Sequence, residues 1–492
     1  MVVRGAPSDF SLPATAAGCL LFSVCLALPS HPSRAQELTL VPGTTALQSV
    51  GGQNAAASDM AMSIDAVCPS LVANEPLLSV EGDRLQDICT SMVQTAADGP
   101  LSYGLDDEEL NDALQAIAGE ELQSPQTQLV EVRDQQLTNI RGRLALLRGQ
   151  ASSLPFSIAG LTFDDRRAFQ VASNGDDVPV PEDSEEGALL LGGRLGVFLT
   201  GGIGFGEKDP TSELDGFDFD VYGVTIGADY RITEGFIVGI GLGSSFFDAD
   251  FNNTEESPSG QELDTDTYSV SVYSTYYPTE RAFVDLIGTV GFGDYDSRRR
   301  VIIESETAVP SEDLSLDGDF DGFSFGVSGE AGYNIPLGGA FTLTPMGGLD
   351  YTHLDIDGFT ETGVDPVTGG ASPLAFTFGD SDADSFMATV GLQLERPFSI
   401  AGGVLVPTVR TTWVFELTDD DDGASVVYAA DPTGLSAFSL STEDKDENYG
   451  VVEAGLSLTL PNELSLFAEY GTVVALEDFE IHTVTAGLRK TF

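Results

Sequence analysis

Histidine is almost absent from this 492-residue chain, which holds only His31, His353 and His482. Nucleophilic catalysis needs a base positioned beside the nucleophile, and so small a supply leaves little to build one from. No His-Glu-x-x-His zinc motif occurs. Basic residues are also scarce, with 21 Lys and Arg against 78 Asp and Glu and a net charge of −57. That balance repels phosphates and excludes nucleic acid as a partner. It also excludes a basic helix lying on a membrane surface. The acidity suits solvated loops, a salty medium or a cation-rich lipopolysaccharide layer. Outside the N-terminus no apolar run reaches the roughly 18 residues that a spanning helix requires. A helical inner-membrane protein is thereby excluded, but a closed β-barrel is not, because it too satisfies every backbone group internally.

Cysteine is limited to four residues, and Cys19 and Cys25 fall within residues 1–35. There Arg4 precedes an apolar core from Ala14 to Leu28, followed by a small-x-small cleavage site at Ser33-Arg34-Ala35. This layout is an export signal. Ala16-Ala17-Gly18-Cys19 offers a rival lipoprotein box, but the apolar core lies after that cysteine. Cys68 and Cys89 then remain as a pair in an exported chain. They form either a disulfide, the reading favoured by an oxidising compartment, or two buried thiols.

Residues 36–121 read as a small helical region. Ile64, Val67 and Leu71, then Leu85, Ile88 and Met92, recur at three- and four-residue steps. Asp106 caps a third helix with Glu109, Leu110, Leu114 and Ile117. A longer helical pattern in 122–150 carries Arg133, Arg141, Arg143 and Arg148 in an otherwise acidic chain. Residues 151–189 form an acidic linker. From about residue 190 to 492 the period changes from 3.6 to 2, in paired strand-like runs. Within pairs the connections are short, at Arg231–Gly235, Pro278–Glu280, Pro336–Gly339, Arg396–Gly402 and Pro461–Asn462. Between pairs they are long and acidic, over 251–264, 297–319, 355–381 and 418–446. Short turns at one end and long loops at the other characterise an outer-membrane barrel. The predicted fold is therefore an all-β transmembrane antiparallel barrel of about 12 strands, with a small α-helical N-terminal region and a helix in the pore.

Alternation assigns the faces. Val224, Ile226 and Tyr230, Phe323, Phe325 and Val327, Val390, Leu392 and Leu394, and Val452 and Leu456 should meet lipid. A soluble sandwich would show the same alternation, but not the unequal loops, the export signal or the terminal Phe492. The opposite face is small and polar and carries Asp229, Asp285, Glu330, Asp350, Glu395, Glu416, Glu453 and Glu469 against Arg194, Arg410 and Arg489. Like charges in a narrow lumen repel. The basic segment Arg133–Arg148 would complement them as a plug; otherwise the lumen is a water-filled anionic pore.

These residues resemble the autotransporters of type V secretion through their translocator domain. Val221–Tyr230 followed by Gly235–Gly239 is similar to the family's second and third strands, Leu466–Tyr470 to its penultimate strand, and Ala486–Phe492 to its C-terminus. The resemblance implies a 12-stranded barrel around a pore helix and an upstream passenger carried to the cell surface. It implies outer-membrane lipid as the medium, with periplasmic chaperones and the barrel-assembly machinery as partners. That machinery would read Val484, Ala486, Leu488 and Phe492, although Lys490 departs from the usual apolar residue. The product would be a monomer without cofactor. Only residues 36–121 are left for a passenger, too few for a long β-helical adhesin. Some family members cleave themselves at paired asparagines inside the barrel. Asn252-Asn253 lies in a loop instead, and no such cleavage is predicted.

Two further motifs are weak. Gly379-Asp380-Ser381 resembles the start of a surface-esterase motif but has no apolar strand before it and no catalytic Asp/His pair after it. Asp317-Gly318-Asp319-Phe320-Asp321-Gly322 resembles half a calcium loop, yet Ser328 stands where the bidentate Glu belongs. Neither this run nor Asp419–Asp422 is expected to form a defined metal site. The reading is thus a non-enzymatic anchor exposing a short passenger, with a plugged porin-like channel and an adhesin acting through acidic loops as alternatives.

Overall fold

The structure is a computed structural model that describes residues 46–50, 55–74, 78–119, 140–141, 144, 157–158, 161–164, 167–171, 194–211, 216–251, 261–418, 425–431, 438–439, 448–476 and 478–492. The export signal, Arg133, Arg143, Arg148, Asn252-Asn253 and Asp419–Asp422 lie outside the described residues.

Twelve long antiparallel strands form the barrel. They are β1 (Leu195–Lys208), β2 (Phe217–Thr233), β3 (Phe236–Phe251), β4 (Glu262–Tyr276), β5 (Ala282–Ile303) and β6 (Glu312–Tyr333). The series continues with β7 (Thr342–Ile356), β8 (Ser381–Glu395), β9 (Gly403–Glu416), β10 (Asn448–Thr459), β11 (Leu464–Val474) and β12 (Phe479–Thr491). Each strand pairs with its chain neighbours, and β12 closes on β1 from Thr491↔Gly196 to Phe479↔Lys208. Closure leaves no open edge, which is what a sheet in lipid requires. Short turns gather at one end, for example Glu234-Gly235 between β2 and β3. By the ordinary convention of such barrels that end is periplasmic.

The predicted lipid face is the exposed one. Ile226 is 54% exposed, Val390 55% and Leu456 52%. One expectation is corrected. The loop read over 297–319 does not exist as such, because β5 and β6 run 22 residues each and turn only at 304–311. Twenty-two residues at about 3.3 Å per residue and a tilt near 40° rise roughly 55 Å, about twice the apolar band. The hairpin therefore stands well above the membrane. Along it the two faces exchange character. The outer face of β5 carries Leu286, Val290 and Phe292, then Asp294, Asp296, Arg298 and Arg300. The inner face carries Asp285 and Thr289 lower down, then Tyr295, Val301 and Ile303. The reason is the change of solvent: lipid outside favours a polar lumen, and water outside favours an apolar interior.

That upper interior is filled. Helices α1 (Ala55–Asn74), α2 (Val80–Ala96) and α3 (Asp107–Ala118) share one buried core with Phe219, Phe247, Val301, Leu316, Phe320 and Ile356 of the strands. The periodic residues Ile64, Val67, Leu71, Leu85, Ile88, Met92, Leu110, Leu114 and Ile117 all face this core. Burying each large apolar side chain contributes at most roughly 1.5–3 kcal/mol. Local signals define the helix ends. Ser79 accepts from the Gly82 N–H. Asp106 and Glu109 form a reciprocal capping box. Gly119 closes α3 at φ 69°, a left-handed conformation suited to glycine. Strand pieces Phe376–Phe378, Ser425–Tyr428 and Phe438–Ser439 form a small sheet within the upper loops, and Tyr428 donates to Met60 Sδ of α1 at 3.1 Å. Within 151–189, Ser157–Ile158, Leu161–Asp164 and Arg167–Val171 pair as a separate three-stranded sheet.

Cys68 and Cys89 are disulfide-bonded, joining α1 to α2 with Cα atoms 5.7 Å apart. A bond spanning 21 residues restricts the unfolded chain enough to contribute about 3 kcal/mol. Reduction, or a Cys68→Ser/Cys89→Ser pair, should lower the melting temperature of the helical signal in circular dichroism while the barrel signal stays in place. Unchanged helix melting would contradict this.

Candidate functional site

The lower lumen holds most of the predicted acids, and Arg489 and Arg410 lie among them. Arg489 on β12 reaches Asp229 on β2 at 3.1 Å, both side chains nearly fully buried. Arg410 on β9 meets Glu330 on β6 at 2.5 Å and Glu453 on β10 at 3.4 Å. Glu469 lies on the same inward face of β11, next to the Gly455 pair. Asp285 is buried on β5. Glu395 accepts from Gln393 Nε2 at 3.2 Å, and Glu416 accepts from Ser385 Oγ and the Phe386 N–H. Arg194 is exposed at the foot of β1.

Ile140, Arg141 and Leu144 are helical and lie inside this lumen. Ile140 and Leu144 pack with Phe198, Ile237, Tyr273 and Ile287, all near the short-turn end. Arg141 Nη2 meets Asp350 Oδ1 at 2.5 Å and Ser328 Oγ at 3.2 Å. An Ile, an Arg and a Leu within one helical turn thus match an apolar patch and a carboxylate on the barrel wall.

A second arrangement lies in the upper interior and was not legible as a site. Arg299, inward on β5 and 1% exposed, grips Glu361 with Nε at 2.6 Å and Nη2 at 2.7 Å. Its Nη1 and Nη2 also reach the carbonyls of Ile117 and Leu374 at 2.8 Å each, and its plane lies 4.5 Å over the Phe376 ring. One side chain thus joins the barrel wall, the upper loop 357–380 and the end of α3, where a helix C-terminus favours a cation. On α2, Arg84 meets Glu312 at 2.7 Å and Asp365 at 3.2 Å. Burial pushes the Glu312 carboxyl up, against the pull of Arg84. Asp365 is held below the usual carboxylate range: burial opposes this, but Thr368, the Val367 N–H and Arg84 outweigh it. Tyr295, Phe320, Phe359 and Phe378 stack in sequence at 5.0, 4.3 and 4.6 Å, tying the tall hairpin to the loops. The available signal was the alternation Tyr295, Ser297, Arg299, Val301, Ile303, obscured by the charged residues between.

Those intervening residues form the outer wall just above the apolar band. Asp220, Asp248, Asp264, Asp296 and Asp319 lie directly opposite one another across five strands. Asp266, Asp294 and Asp321 repeat the pattern one step lower. Burial and neighbouring carboxylates push Asp248 and Asp264 up, and a shared hydrogen bond with Asp319 does the same to Asp296.

The weaker motifs resolve into structure. Asp317–Gly322 belongs to the extended strand β6 and cannot close as a loop. Among the described residues no group of three or more His, Cys, Asp or Glu could hold a metal ion. Asp380 accepts from the Gly358 N–H, and Ser381 begins β8. His353 has carboxylates at both ring nitrogens, Asp384 at 2.9 Å and Asp355 at 3.3 Å. His482 lies between Tyr470 and Glu480.

Comparison with known proteins places the barrel. Residues 197–471 match the family model of the autotransporter beta-domain. Esterase EstA of Pseudomonas aeruginosa is 25% identical over 278 residues, covering 56% of this chain and 39% of that protein. Outer membrane protein A of Rickettsia conorii is 24% identical over 315 residues, 62% of this chain and 15% of that protein. The chain thus spans well under half of the curated relatives it matches. Among solved structures, the translocator domain of autotransporter NalP from Neisseria meningitidis is 17% identical with a TM-score of 0.44, covering 61% of this chain and 89% of that one.

Arg299→Met leaves Glu361 buried without its cation, which costs about 3–5 kcal/mol; adding Glu361→Leu should recover most of that loss. Thermal melts of both variants check this, and an equally unstable double variant would contradict it. On the outer wall, like charges face each other across strands, so Asp248→Asn or Asp264→Asn should each stabilise by up to about 1 kcal/mol. Folding raises these pKa values, so the penalty is smallest where the carboxyls are protonated and grows as pH rises through the raised values. The Asn variants should flatten that slope in pH-dependent melts; an unaltered slope would contradict the origin assigned to it.

Proposed function

This chain belongs to the autotransporter β-domain family, outer-membrane barrels of Gram-negative bacteria, and from that premise we propose that it anchors its own short N-terminal region at the cell surface. In this reading residues 1–35 are a removed export signal, 36–121 the passenger, 122–150 the pore segment, 151–189 a linker and 190–492 the anchor. The observation that carries it is the order of the chain through the barrel. Helices α1–α3 lie at the long-loop end, Ile140, Arg141 and Leu144 in the lower lumen, and β1 begins at the short-turn end. A chain secreted through its own barrel would run in that order.

Arg141 and Asp350 are proposed to pin the pore segment, joined by Arg133, Arg143 and Arg148 against the remaining lumen carboxylates. The outward row Val484, Ala486 and Leu488 with the terminal Phe492, whose N–H donates to the Leu195 carbonyl at 2.8 Å, is the surface proposed for the barrel-assembly machinery. Periplasmic chaperones would deliver the unfolded chain, and the product would be a monomer in outer-membrane lipid. The translocator barrel is not itself catalytic. EstA is named an esterase, but this chain covers 39% of it, and the proposal assigns no hydrolysis to the helical region.

Cysteine labelling on intact cells tests the topology. An impermeant maleimide should modify Leu101→Cys and Val364→Cys, both exposed at the long-loop end, and should reach Glu234→Cys only after the outer membrane is opened. Labelling of Leu101→Cys only after permeabilisation would overturn the proposal. In planar bilayers the full chain should show little steady current, whereas a large steady current would contradict an occupied lumen.

A further inference from the structure

We propose that α1–α3 are a resident cap of the barrel's upper interior rather than a passenger that leaves it. This inference rests on the outward topology proposed above and adds that the delivered helices stay and close the mouth. The two faces exchange character along the tall strands. On β6, Phe323, Phe325 and Val327 point outward within the band, whereas Leu314, Leu316 and Phe320 point inward above it. An open aqueous mouth would have no use for an apolar inner wall. Leu316, Leu314 and Val301 are completely buried, and the side chains that bury them include those of the helices.

Polar contacts hold the same seam. Arg299 and Arg84 are among the few cations of the chain, and both are committed to the seam between cap and wall. Arg299 draws the α3 carbonyl of Ile117 and the loop residues Glu361 and Leu374 to one point. Arg84 carries α2 to Glu312 at the top of β6 and to Asp365 in the loop. At the rim, the Glu306 N–H donates to the Tyr103 carbonyl at 2.8 Å, and Thr307 Oγ1 donates to the Ser102 carbonyl at 2.6 Å. If the cap departed, the buried carboxylates Glu312 and Glu361 and the apolar wall would face water together. Glu312 through Arg84, and Arg299 at the Ile117 carbonyl, hold the cap in one orientation, and the wall completes a core that three short helices cannot close alone.

Solvent access to the wall tests this in the full-length protein on intact cells. Leu316→Cys and, as a second site, Ile356→Cys should resist an impermeant maleimide, while Val364→Cys on the upper loop reacts promptly. Adding Arg299→Glu to either wall variant should increase its labelling rate at least tenfold. Heat-modifiable migration on a denaturing gel verifies that each barrel has folded. Wall cysteines that label as fast as Val364→Cys without the Arg299 change would overturn the cap, as would protection unchanged by Arg299→Glu in a folded barrel. Prompt labelling at Val364 alongside an accessible wall would leave the anchoring role intact. Failure to label Val364 itself would instead count against the topology on which both readings depend.

Discussion

A β-strand has two faces, and in a closed barrel one looks outward and the other inward along the whole length. For the shorter strands of this protein the outer medium is lipid over most of that length. For β5 and β6 it is lipid for the lower half and water for the upper. The hydrophobic effect then reverses the requirement on each face partway up the same strand. Leu286, Val290 and Phe292 outside give way to Asp294 and Asp296, while Asp285 and Thr289 inside give way to Tyr295 and Val301. The polar lower lumen, the apolar upper interior, the acidic collar and the helices seated above all follow from that exchange.

The scarcity of basic residues sharpens the picture. With 21 cations against 78 anions, most carboxylates must be left to water, and they are, on the outer wall and the loops. Several of the cations drawn inside stand at joints between elements distant in sequence. Arg489 joins β12 to β2, Arg410 joins β9 to β6 and β10, Arg141 joins the lumen segment to β7, and Arg299 joins β5 to α3 and the loop. A buried ion pair adds little net stability but is costly to break. Its effect here is to favour one arrangement of segments that would otherwise be held only by non-directional apolar contact. Arg299, with four of its five N–H donors on Glu361, Ile117 and Leu374, is the clearest case.

Much of the barrel was legible in the amino-acid order because period-two alternation and unequal connections are local signals. The helices were legible for the same reason, and Asp106 with Glu109 marked a start that the capping box realises. Parity alone puts these carboxylates on the strand face opposite the apolar one. What escaped was the upper half of β5 and β6. There the apolar residues shift from even to odd positions in β5, from Phe292 to Tyr295, and charged residues fill the other face, so 297–319 reads as an acidic loop. Arg299 and its partner Glu361 are 62 residues apart, and no local pattern links them. Contacts of that range depend on how the strands and the helical region come together, which composition and spacing do not encode.

The chain contains a single tryptophan, Trp413, on the outward face of β9 opposite Val390 and Gly450. It therefore reports directly whether the greasy faces meet acyl chains, the claim on which the exchange of faces rests. In vesicles containing lipids brominated along the acyl chains, its fluorescence should be strongly quenched, while aqueous iodide should have little effect. Quenching by iodide together with indifference to the brominated lipid would place that face in water and contradict the account.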